Sequence, residues 1–490
     1  MSQTQVQLPA DCRMVSVSAK FRMDCETPVS LYLKLAYEKS DGFILESVEH
    51  GQHSGRYSFI GWDPLLKISY AAPHFKVCGI VDVATDTDEP LAAIKTLMER
   101  IVMVDEQDIP NARGGLVGHF GYESIRLIED IGPRKPDAAP WIYLMMPKFL
   151  LIFDHLNHVV TLICHQVVAG DERAARNLAH VQLQEALTKI KVFSVANDAM
   201  PVTTEGVDWS KWQSNITDEA FRAMVQTAKG YILEGDIFQV VLSRAIRRDF
   251  PADPFAIYRV LRQINPSPYM FYLKQEGRVI VGGSPESLVT LDQGLLTTKP
   301  IAGTRPRGSD LESDLALEKD LLADQKEIAE HVMLVDLGRN DLGRISESGS
   351  VSVPRFMQIE RYSHVMHIVS IVQARLKAGL HAVDAMMSVF PAGTLSGAPK
   401  IRAMQIINEM EPESRGIYGG AIGFLDFNGN VDSCIAIRTA TVENGIVRVQ
   451  AGAGIVADSD PQKEFEETTH KMMSVVTAVE TAIRQSMLHL

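Results

Sequence analysis

The chain has 490 residues, 46% of them hydrophobic and 22% charged, which is typical of a soluble globular protein long enough for two or three domains. Its net charge of −13, with no long basic run, argues against a nucleic-acid-binding surface. The five cysteines lack CxxC spacing, so we expect reduced thiols in the cytoplasm and neither a disulfide framework nor a zinc site. The N-terminus has no signal design, and charged and histidine residues interrupt the apolar segment 148–165, so we expect no membrane span.

The first half of the chain predicts a strand-rich domain over residues 1–195. The segments DGFILESVE, from Asp41, and GRYSFIGWDP, from Gly55, have the composition of strands, and WIYLMMPKFLLIFDH with HVVTLICHQV predicts a hairpin. Charged and apolar residues alternate at helical spacing over 171–190. This periodicity then stops, so we predict a linker at 196–208 and a second domain at 209–490.

The second domain is predicted to open with an amphipathic helix that has Thr217 as its N-cap. Its apolar residues recur at helical spacing: Phe221, Met224, Val225, Ala228 and Ile232. A strand is expected in GDIFQVVLSRAIRRDF, from Gly235, and further elements follow in order: a helix at Pro254–Ile264, strands at 270–273 and 279–281, and helices at 318–337 and 381–390. Without a fixed-period repeat, this mixture predicts a large α+β unit.

Two pairs of glutamates could carry chemistry. Glu327 with Glu330, and Glu464 with Glu467, have the i, i+3 spacing that brings two carboxylates to one helix face. Surface glutamates usually form solvated faces. An oxygen-only set without histidine or cysteine would alternatively suit Mg²⁺, which keeps several waters and shares its carboxylates with an anionic substrate. The spacing alone leaves both interpretations open.

Four longer motifs resemble the chorismate-utilising enzymes, and among them the anthranilate synthase large-subunit family. They are PIAGTRPRG from Pro300, EHVMLVDLGRNDLGR from Glu330, FPAGTLSGAPKIRAMQIINEMEPESRGIYGGAIGF from Phe390, and QAGAGIVADSDPQKEFEETTHK from Gln450. The resemblance covers nearly the whole chain. It implies an α+β chorismate-binding fold with a β-sandwich-like core flanked by helices and an N-terminal domain packed against it.

The resemblance also implies a substrate and metal site. Mg²⁺ would be bound directly by Glu330 and Glu467, with Glu327 and Glu464 acting through water. Chorismate would contact a set of side chains and backbone groups: Gly303, Thr304, Tyr418, Arg438, and the backbone of Gly452, Ala453 and Gly454. Because chorismate is a dianion, Mg²⁺ could hold one carboxylate while Arg438 and glycine N–H groups hold the other. Lys471, one turn after Glu467, either adds positive charge for the substrate or neutralises the glutamates.

Three residues form the predicted catalytic set. The resemblance implies that His367, and not His364, acts in acid–base catalysis or orients the leaving group. Glu286, in GGSPESL, matches the glutamate that protonates the departing C4 hydroxyl in related isochorismate and salicylate enzymes, a role that needs a raised pKa. Thr394, in the hydroxyl- and glycine-containing segment PAGTLSG, completes the set.

Two positions distinguish this chain from its relatives. Isochorismate and salicylate synthases carry a water-activating lysine where this chain has Gln239, and aminodeoxychorismate synthases typically carry a nucleophilic lysine where it has Ala302. With both lysines absent, ammonia is the expected nucleophile, and the implied reaction is amination at C2 followed by elimination of pyruvate to give anthranilate. The alternatives are an aminodeoxychorismate synthase, which retains pyruvate, and a non-catalytic subunit that binds chorismate or tryptophan.

The resemblance further implies a partner and an inhibitor. None of the cysteines lies in a glycine-flanked nucleophile elbow, so a separate glutamine amidotransferase small subunit is expected to supply ammonia within a hetero-oligomer. A pocket for feedback inhibition by L-tryptophan is implied by two segments, whose residues are Leu45, Glu46 and Ser47, and Asn265, Pro266, Pro268, Tyr269 and Met270. A strand end and a rigid proline turn are the other interpretations of these segments.

Overall fold

The computed structural model describes residues 11–23, 25–48, 55–80, 82–104, 114–136, 139–192, 206–362 and 365–488. His364 and most of the predicted linker lie outside these ranges. The strands are β1 Cys12–Arg22, β2 Gly42–Glu46, β3 Tyr57–Ala71, β4 His74–Gly79, β5 Val83–Asp86, β6 Ile101–Val104, β7 Gly115–Phe120, β8 Ile142–Asp154, β9 Val159–Val167, β10 Gln213–Ser214, β11 Gln239–Asp249, β12 Tyr269–Gln275, β13 Arg278–Ser284, β14 Ser287–Asp292, β15 Leu295–Thr298, β16 Ile301–Pro306, β17 Ser352–Arg361, β18 Val365–Arg375, β19 Gly397–Ala398, β20 Ala421–Asp426, β21 Val431–Ile435, β22 Thr439–Glu443 and β23 Ile446–Ile455.

The helices are α1 Pro28–Leu35, α2 Pro90–Arg100, α3 Glu172–Val192, α4 Asp218–Leu233, α5 Pro254–Ile264, α6 Leu311–Ala323, α7 Gln325–Gly343, α8 Ala382–Val389, α9 Lys400–Met410 and α10 Pro461–Leu488. The bounds of α5 agree with the sequence prediction, and Thr217 caps α4 by accepting a hydrogen bond from the backbone of Ala220. In the described part of the chain, no helix combines the length and apolar character that a membrane crossing requires.

The predicted helix over 318–337 is wrong, because two helices occupy this region. Asp324 has an extended backbone (ψ 106°), and its carboxylate accepts hydrogen bonds from the backbone N–H groups of Lys326 and Glu327. This is an N-cap, which ends α6 and begins α7 at the same residue. The break places Glu327 in the first turn of α7 and Glu330 one turn later.

The strands form two layers that share one long ribbon. β3 and β8 pair along most of their length, with a register irregularity next to the Pro64–Pro147 pair. On one side of this irregularity the ribbon continues through β2, β12, β13, β22, β23 and β11. On the other side it continues through β7, β20, β21, β14, β15 and β18. The same ribbon therefore belongs to both layers.

The interior of this sandwich is apolar. Phe43, Phe271 and Ile280 from the first layer pack in one cluster with Ile422 and Cys434 from the second. The outer face of the first layer packs against α1, α3, α5 and α10, and that of the second against α2, α8 and α9. An α+β fold with a β-sandwich-like core flanked by helices is thus confirmed.

Two strand pairings join the N-terminal half to the rest of the chain. β2 pairs with β12, which sets Met270 opposite Glu46, and β7 pairs with β20. The N-terminal part therefore extends both layers of the sandwich through backbone hydrogen bonds, in addition to packing against them. The boundaries at 195 and 209 stay a prediction.

Candidate active site

A cavity of about 730 Å³ lies over the paired strands β11 and β23, with walls from β16, β18, α7 and α10. Fourteen of the predicted catalytic, substrate and metal residues line it: Glu286, Gly303, Thr304, Glu327, Glu330, His367, Thr394, Tyr418, Arg438, Gly452, Gly454, Glu464, Glu467 and Lys471. Ala453 does not. Its side chain is fully buried in the apolar cluster on the other side of β23, so it could reach a ligand only through its backbone.

The floor of the cavity follows from the two-residue period of β23. Gln450, Gly452 and Gly454 all face the cavity, because alternate residues of a strand point to the same side. A Cβ atom at Gly452 would lie 2.7 Å from the Tyr418 hydroxyl oxygen, so glycine permits this close approach. Gln450 was not among the predicted residues, although its spacing from the two glycines was a signal that could have found it.

Two glutamine side chains at the cavity have unsatisfied carbonyl oxygens. Gln239 and Gln450 are each more than nine-tenths buried, and their Oε1 atoms have no hydrogen-bond partner among the described residues. Their amide nitrogens are used: Gln239 donates to Glu330 Oε1 at 3.4 Å and Gln450 to Ser243 Oγ at 2.8 Å. The cavity floor therefore offers hydrogen-bond acceptors to a ligand.

The four glutamates face the cavity from two helices. The pKa of Glu327 is raised mainly by burial and in addition by the Glu330 carboxylate. The pKa of Glu464 is raised mainly by burial and in addition by the Glu467 carboxylate. Crowded carboxylates of this kind suit a hard cation. No group of three or more histidine, cysteine or acidic residues in the described ranges is close enough to hold a metal alone. The glutamate oxygens that line the cavity are of the ligand type that Mg²⁺ prefers, an ion that shares carboxylates with water and substrate oxygens.

Positive charge at the cavity comes from Arg438, Lys471 and the exposed Lys326. Lys471 Nζ lies 2.6 Å from Glu467 Oε1 and donates to the Gly452 carbonyl at 3.1 Å. Arg438 Nη1 donates to the Lys471 carbonyl at 2.9 Å, which fixes the guanidinium at the cavity wall. Lys471 thus contacts a glutamate and also lines the cavity, so both of its predicted roles agree with its position.

Glu286 and Thr394 form a hydrogen-bonded pair. The Thr394 hydroxyl donates to Glu286 Oε1 at 2.9 Å. Burial raises the pKa of Glu286 to about 7, although the Thr394 hydrogen bond and the positive charges of Lys471 and Arg438 oppose this shift. A carboxyl group with this pKa is protonated in a large fraction of molecules near neutral pH, as a general acid requires.

His367 lies in the opposite wall. Its Nδ1 atom is 3.1 Å from the Gly303 carbonyl oxygen and 3.0 Å from Thr304 Oγ1. Because a carbonyl can only accept, Nδ1 carries the hydrogen, which leaves Nε2 of the neutral ring as an acceptor. Burial lowers the pKa of His367 and so favours this neutral form.

A buried ion pair supports the cavity from below. Arg415 is 1% exposed and pairs with Glu411, while its two Nη atoms donate to the carbonyls of Leu395 and Val241. Its guanidinium carbon lies 5.5 Å from the centre of the Tyr418 ring. This one side chain therefore connects the segment that carries Thr394, strand β11 and Tyr418.

A second cavity of about 380 Å³ lies within the sandwich. Six of the eight predicted tryptophan-pocket residues line it: Leu45, Glu46, Ser47, Pro268, Tyr269 and Met270. Asn265 and Pro266 line the larger cavity instead, because the chain passes from one cavity to the other at Pro268. Aromatic side chains, including Phe59 and Phe424, form much of the remaining wall. The pocket is therefore suited to a flat apolar ring.

Comparison with known proteins identifies the family. The family model described as chorismate binding enzyme matches residues 42–477. Anthranilate synthase component 1 of Aquifex aeolicus is 43% identical over 484 residues, which cover 97% of each chain, and that of Acetivibrio thermocellus is 44% identical over 492 residues, which cover 96% of each. The chain belongs to the anthranilate synthase component 1 family. The resemblance inferred from the motifs is thus confirmed.

Solved structures agree with this membership. Anthranilate synthase component I from Streptococcus pneumoniae is 36% identical and superposes with a TM-score of 0.76, covering 93% of this chain and 98% of that one. The menaquinone-specific isochorismate synthase of Escherichia coli has a TM-score of 0.72 at 20% identity, covering 97% of this chain and 96% of that one. The second likeness shows the fold alone. The anthranilate synthase component 1 family thus shares its two-layer core with isochorismate synthases.

Proposed function

We propose that this chain is the large subunit of an anthranilate synthase, which aminates chorismate with ammonia and then eliminates pyruvate to form anthranilate. The observation that carries the proposal is the cavity itself, in which a buried carboxyl group with a pKa of about 7, a neutral histidine, three cations and four glutamates face one space. The near full-length relatives at 43–44% identity support the same activity.

Binding of chorismate uses charge of both signs. Arg438 and Lys471 would pair with one carboxylate of the dianion, and the Tyr418 hydroxyl and the backbone of Gly452 and Gly454 would add hydrogen bonds. Glu330 and Glu467 would hold Mg²⁺, with Glu327 and Glu464 acting through its waters. When bound, this ion would neutralise the second carboxylate of the substrate.

The amination step needs an acid. Protonated Glu286 donates to the C4 hydroxyl, which leaves as water while ammonia forms a bond to C2, and Thr394 holds the carboxyl in place. Neither Gln239 nor Ala302 can act as a nucleophile or as the base that activates water, so ammonia is the expected attacking group. The product of this half-reaction is 2-amino-2-deoxyisochorismate.

The elimination step needs a base. We assign it to His367, whose Nε2 atom accepts the proton from C2 while the bond from C3 to the enolpyruvyl oxygen breaks. The group that leaves is enolpyruvate, which takes up a proton at its methylene carbon to become pyruvate, and the ring becomes aromatic. Since Gly303 and Thr304 hold Nδ1, the ring keeps one orientation throughout.

Ammonia delivery and feedback are part of the same proposal. A glutamine amidotransferase subunit would supply ammonia, in agreement with the designation "component 1" of the relatives. L-Tryptophan would bind in the 380 Å³ cavity. Pro268, Pro285, Ile301 and Tyr362 line both cavities, so a ligand in one can change the wall of the other.

The decisive experiment is a fluorescence assay of the purified chain with chorismate, Mg²⁺ and ammonium salt at mildly alkaline pH. Anthranilate formed with an equimolar amount of pyruvate, and suppressed by L-tryptophan, is the expected result. An aminated product without pyruvate would indicate an aminodeoxychorismate synthase. No turnover, even with an amidotransferase subunit and glutamine, would favour a subunit that only binds its ligands.

A further inference from the structure

A third cavity lies behind the catalytic pair. This rear chamber has a volume of about 60 Å³, and its wall includes Thr298, Leu337, Gly338 and Asp341. Glu286 and Thr394 line both the rear chamber and the active-site cavity. The hydrogen-bonded pair therefore forms part of the partition between the two spaces.

The rear chamber is suited to hold water. Its volume is several times the roughly 10–15 Å³ that one ordered water needs. Thr298 is 7% exposed, and its Oγ1 atom has no hydrogen-bond partner in the described part of the chain. Asp341 is 5% exposed, and burial raises its pKa against the opposing charges of Lys400 and Arg344. A buried hydroxyl that no protein group reaches, such as that of Thr298, is usually satisfied by water.

Asp341 is held by a buried lysine that the proposed mechanism does not use. Lys400 Nζ donates to Asp341 Oδ2 at 2.7 Å and to the Val389 carbonyl at 3.0 Å. This contact fixes one carboxylate oxygen of Asp341, and the side chain of Asn340 also hydrogen-bonds to this carboxylate. A carboxylate oriented in this way can pass a proton to a neighbouring water.

The amination step creates a need for protons on this side of the site. Glu286 loses a proton to the C4 hydroxyl, which departs as water, and it must regain one before the next turnover. The new C2 ammonium loses a proton on the substrate side, so the two changes balance through solvent. While chorismate fills the main cavity, Glu286 still lines the rear chamber.

We propose that the rear chamber is a proton-supply site, in which water held by Thr298 and Asp341 returns a proton from solvent to Glu286 after each amination. The proposal rests on the proposed anthranilate synthase activity. It adds two positioning residues to the reaction, because Thr298 and Asp341 act through water and do not touch substrate. Leu337 and Gly338, which are part-exposed, mark the side from which solvent would enter.

Three variants test this role. Thr298→Val removes a hydroxyl that has no protein partner, and Asp341→Asn removes the acid. Gly338→Ala places a methyl group 3.2 Å from Thr298 Oγ1 and so narrows the chamber, while alanine is the better helix former. Matched controls are Thr297→Val, next to Thr298 but outside the chamber wall, and Asp336→Asn, an exposed aspartate on α7.

The assay separates the two half-reactions. Amination is followed from chorismate and ammonia, and elimination from supplied 2-amino-2-deoxyisochorismate. Because general acids contribute about 10²–10⁴-fold, we expect amination to slow by about tenfold in each chamber variant, with a larger solvent deuterium isotope effect. Elimination, the KM for chorismate and both controls should stay unchanged.

The outcomes are distinguishable. If the wild-type chain makes no anthranilate, the proposed activity fails and the rear chamber role fails with it. If the wild type is active and Thr298→Val and Gly338→Ala aminate at the wild-type rate, only the chamber role is refuted. Equal slowing of both half-reactions would show a general structural defect and would also refute it. If Asp341→Asn fails to fold, the result for Thr298→Val decides the question, because that variant keeps the ion pair between Asp341 and Lys400.

Discussion

The raised pKa of Glu286 predicts a pH-dependent change in stability when this residue is replaced by glutamine. In the folded chain burial moves the pKa from its ordinary value of 4.5 to about 7. The folded state therefore binds more protons than the unfolded state between these two values. The contribution of Glu286 to stability is complete below the unfolded pKa and is lost as the pH rises toward the folded pKa. Glu286→Gln cannot ionise, so it avoids this loss.

The magnitude follows from the pKa difference. A change in pKa from 4.5 to about 7 corresponds to about 3 kcal/mol. The wild type loses this amount of its free energy of unfolding as the pH rises between these values, and the variant does not. The entropy of unfolding is about 2 cal/mol/K per residue, so a 490-residue chain that unfolds as a unit has a total unfolding entropy of about 1 kcal/mol/K. The midpoint of thermal unfolding of Glu286→Gln, relative to wild type, should therefore be about 3 °C higher at pH 8.5 than at pH 4.5.

The assay is differential scanning fluorimetry of both proteins at the two pH values, without Mg²⁺ or chorismate. Glu38→Gln, at an exposed position, is the control and should show no such difference. If the midpoint difference between Glu286→Gln and wild type is the same at both pH values, Glu286 ionises as freely in the folded chain as in the unfolded one. The argument that it acts as a buried acid would then fail.

Five further replacements test other parts of the protein. His367→Ala should lower kcat by about 10²–10⁴-fold and change the Kd for chorismate little, measured by steady-state kinetics and equilibrium binding. Glu327→Gln should raise the Mg²⁺ concentration for half-maximal activity by about 10–100-fold, because Glu327 acts through water. Glu330→Gln should raise this concentration further, because Glu330 contacts the ion directly. Glu46→Gln should raise the tryptophan concentration for half-inhibition by about tenfold, since a charged hydrogen bond contributes about 1.5–3 kcal/mol. Arg415→Met should cost about 3–5 kcal/mol in urea unfolding, because it leaves a buried carboxylate unpaired.

The expectations for the histidine, the two magnesium-site glutamates and Glu46 each have a contrary result. If the His367 variant lost much of its chorismate affinity but kept near-normal turnover, the assignment of His367 as the base would be wrong. Equal Mg²⁺ dependence of the two glutamate variants would remove the distinction between direct and water-mediated contacts. Unchanged tryptophan inhibition in Glu46→Gln would exclude this carboxylate from the pocket. His180→Ala, at an exposed position, serves as the histidine control.

Helices were predictable from the sequence where one face of the helix is apolar and packs against the core. The apolar period of α4 and the cap at Thr217 depend on residues within a few positions of one another, and so does the extent of α5. The predicted helix over 318–337 failed for a local reason of a different kind. The Asp324 side chain hydrogen-bonds to the backbone of the following residues, which ends one helix and caps the next.

Most of the candidate site was accessible from motifs, because the family keeps its chemistry in short segments. The motifs do not state which face of a strand a residue occupies. Ala453 was predicted to contact substrate through its backbone, and the strand turns its side chain into the core, so the backbone contact stays a prediction. Gln450 has the same parity as Gly452 and reaches the cavity. Asn265 and Pro266 likewise lie on the side of Pro268 that faces the substrate cavity.

The amino-acid sequence by itself determined the fold class, the family, the absence of lysine at Gln239 and Ala302, and most of the residues that line the substrate cavity, since contiguous motifs and their resemblance to a known family carry this information. Only the tertiary structure decided that the N-terminal half extends both layers of the sandwich through β2 and β7. It also decided that Glu286 separates the cavity from the rear chamber. The physical reason is that these features depend on strand register and on contacts between segments distant in the chain, which no local pattern specifies.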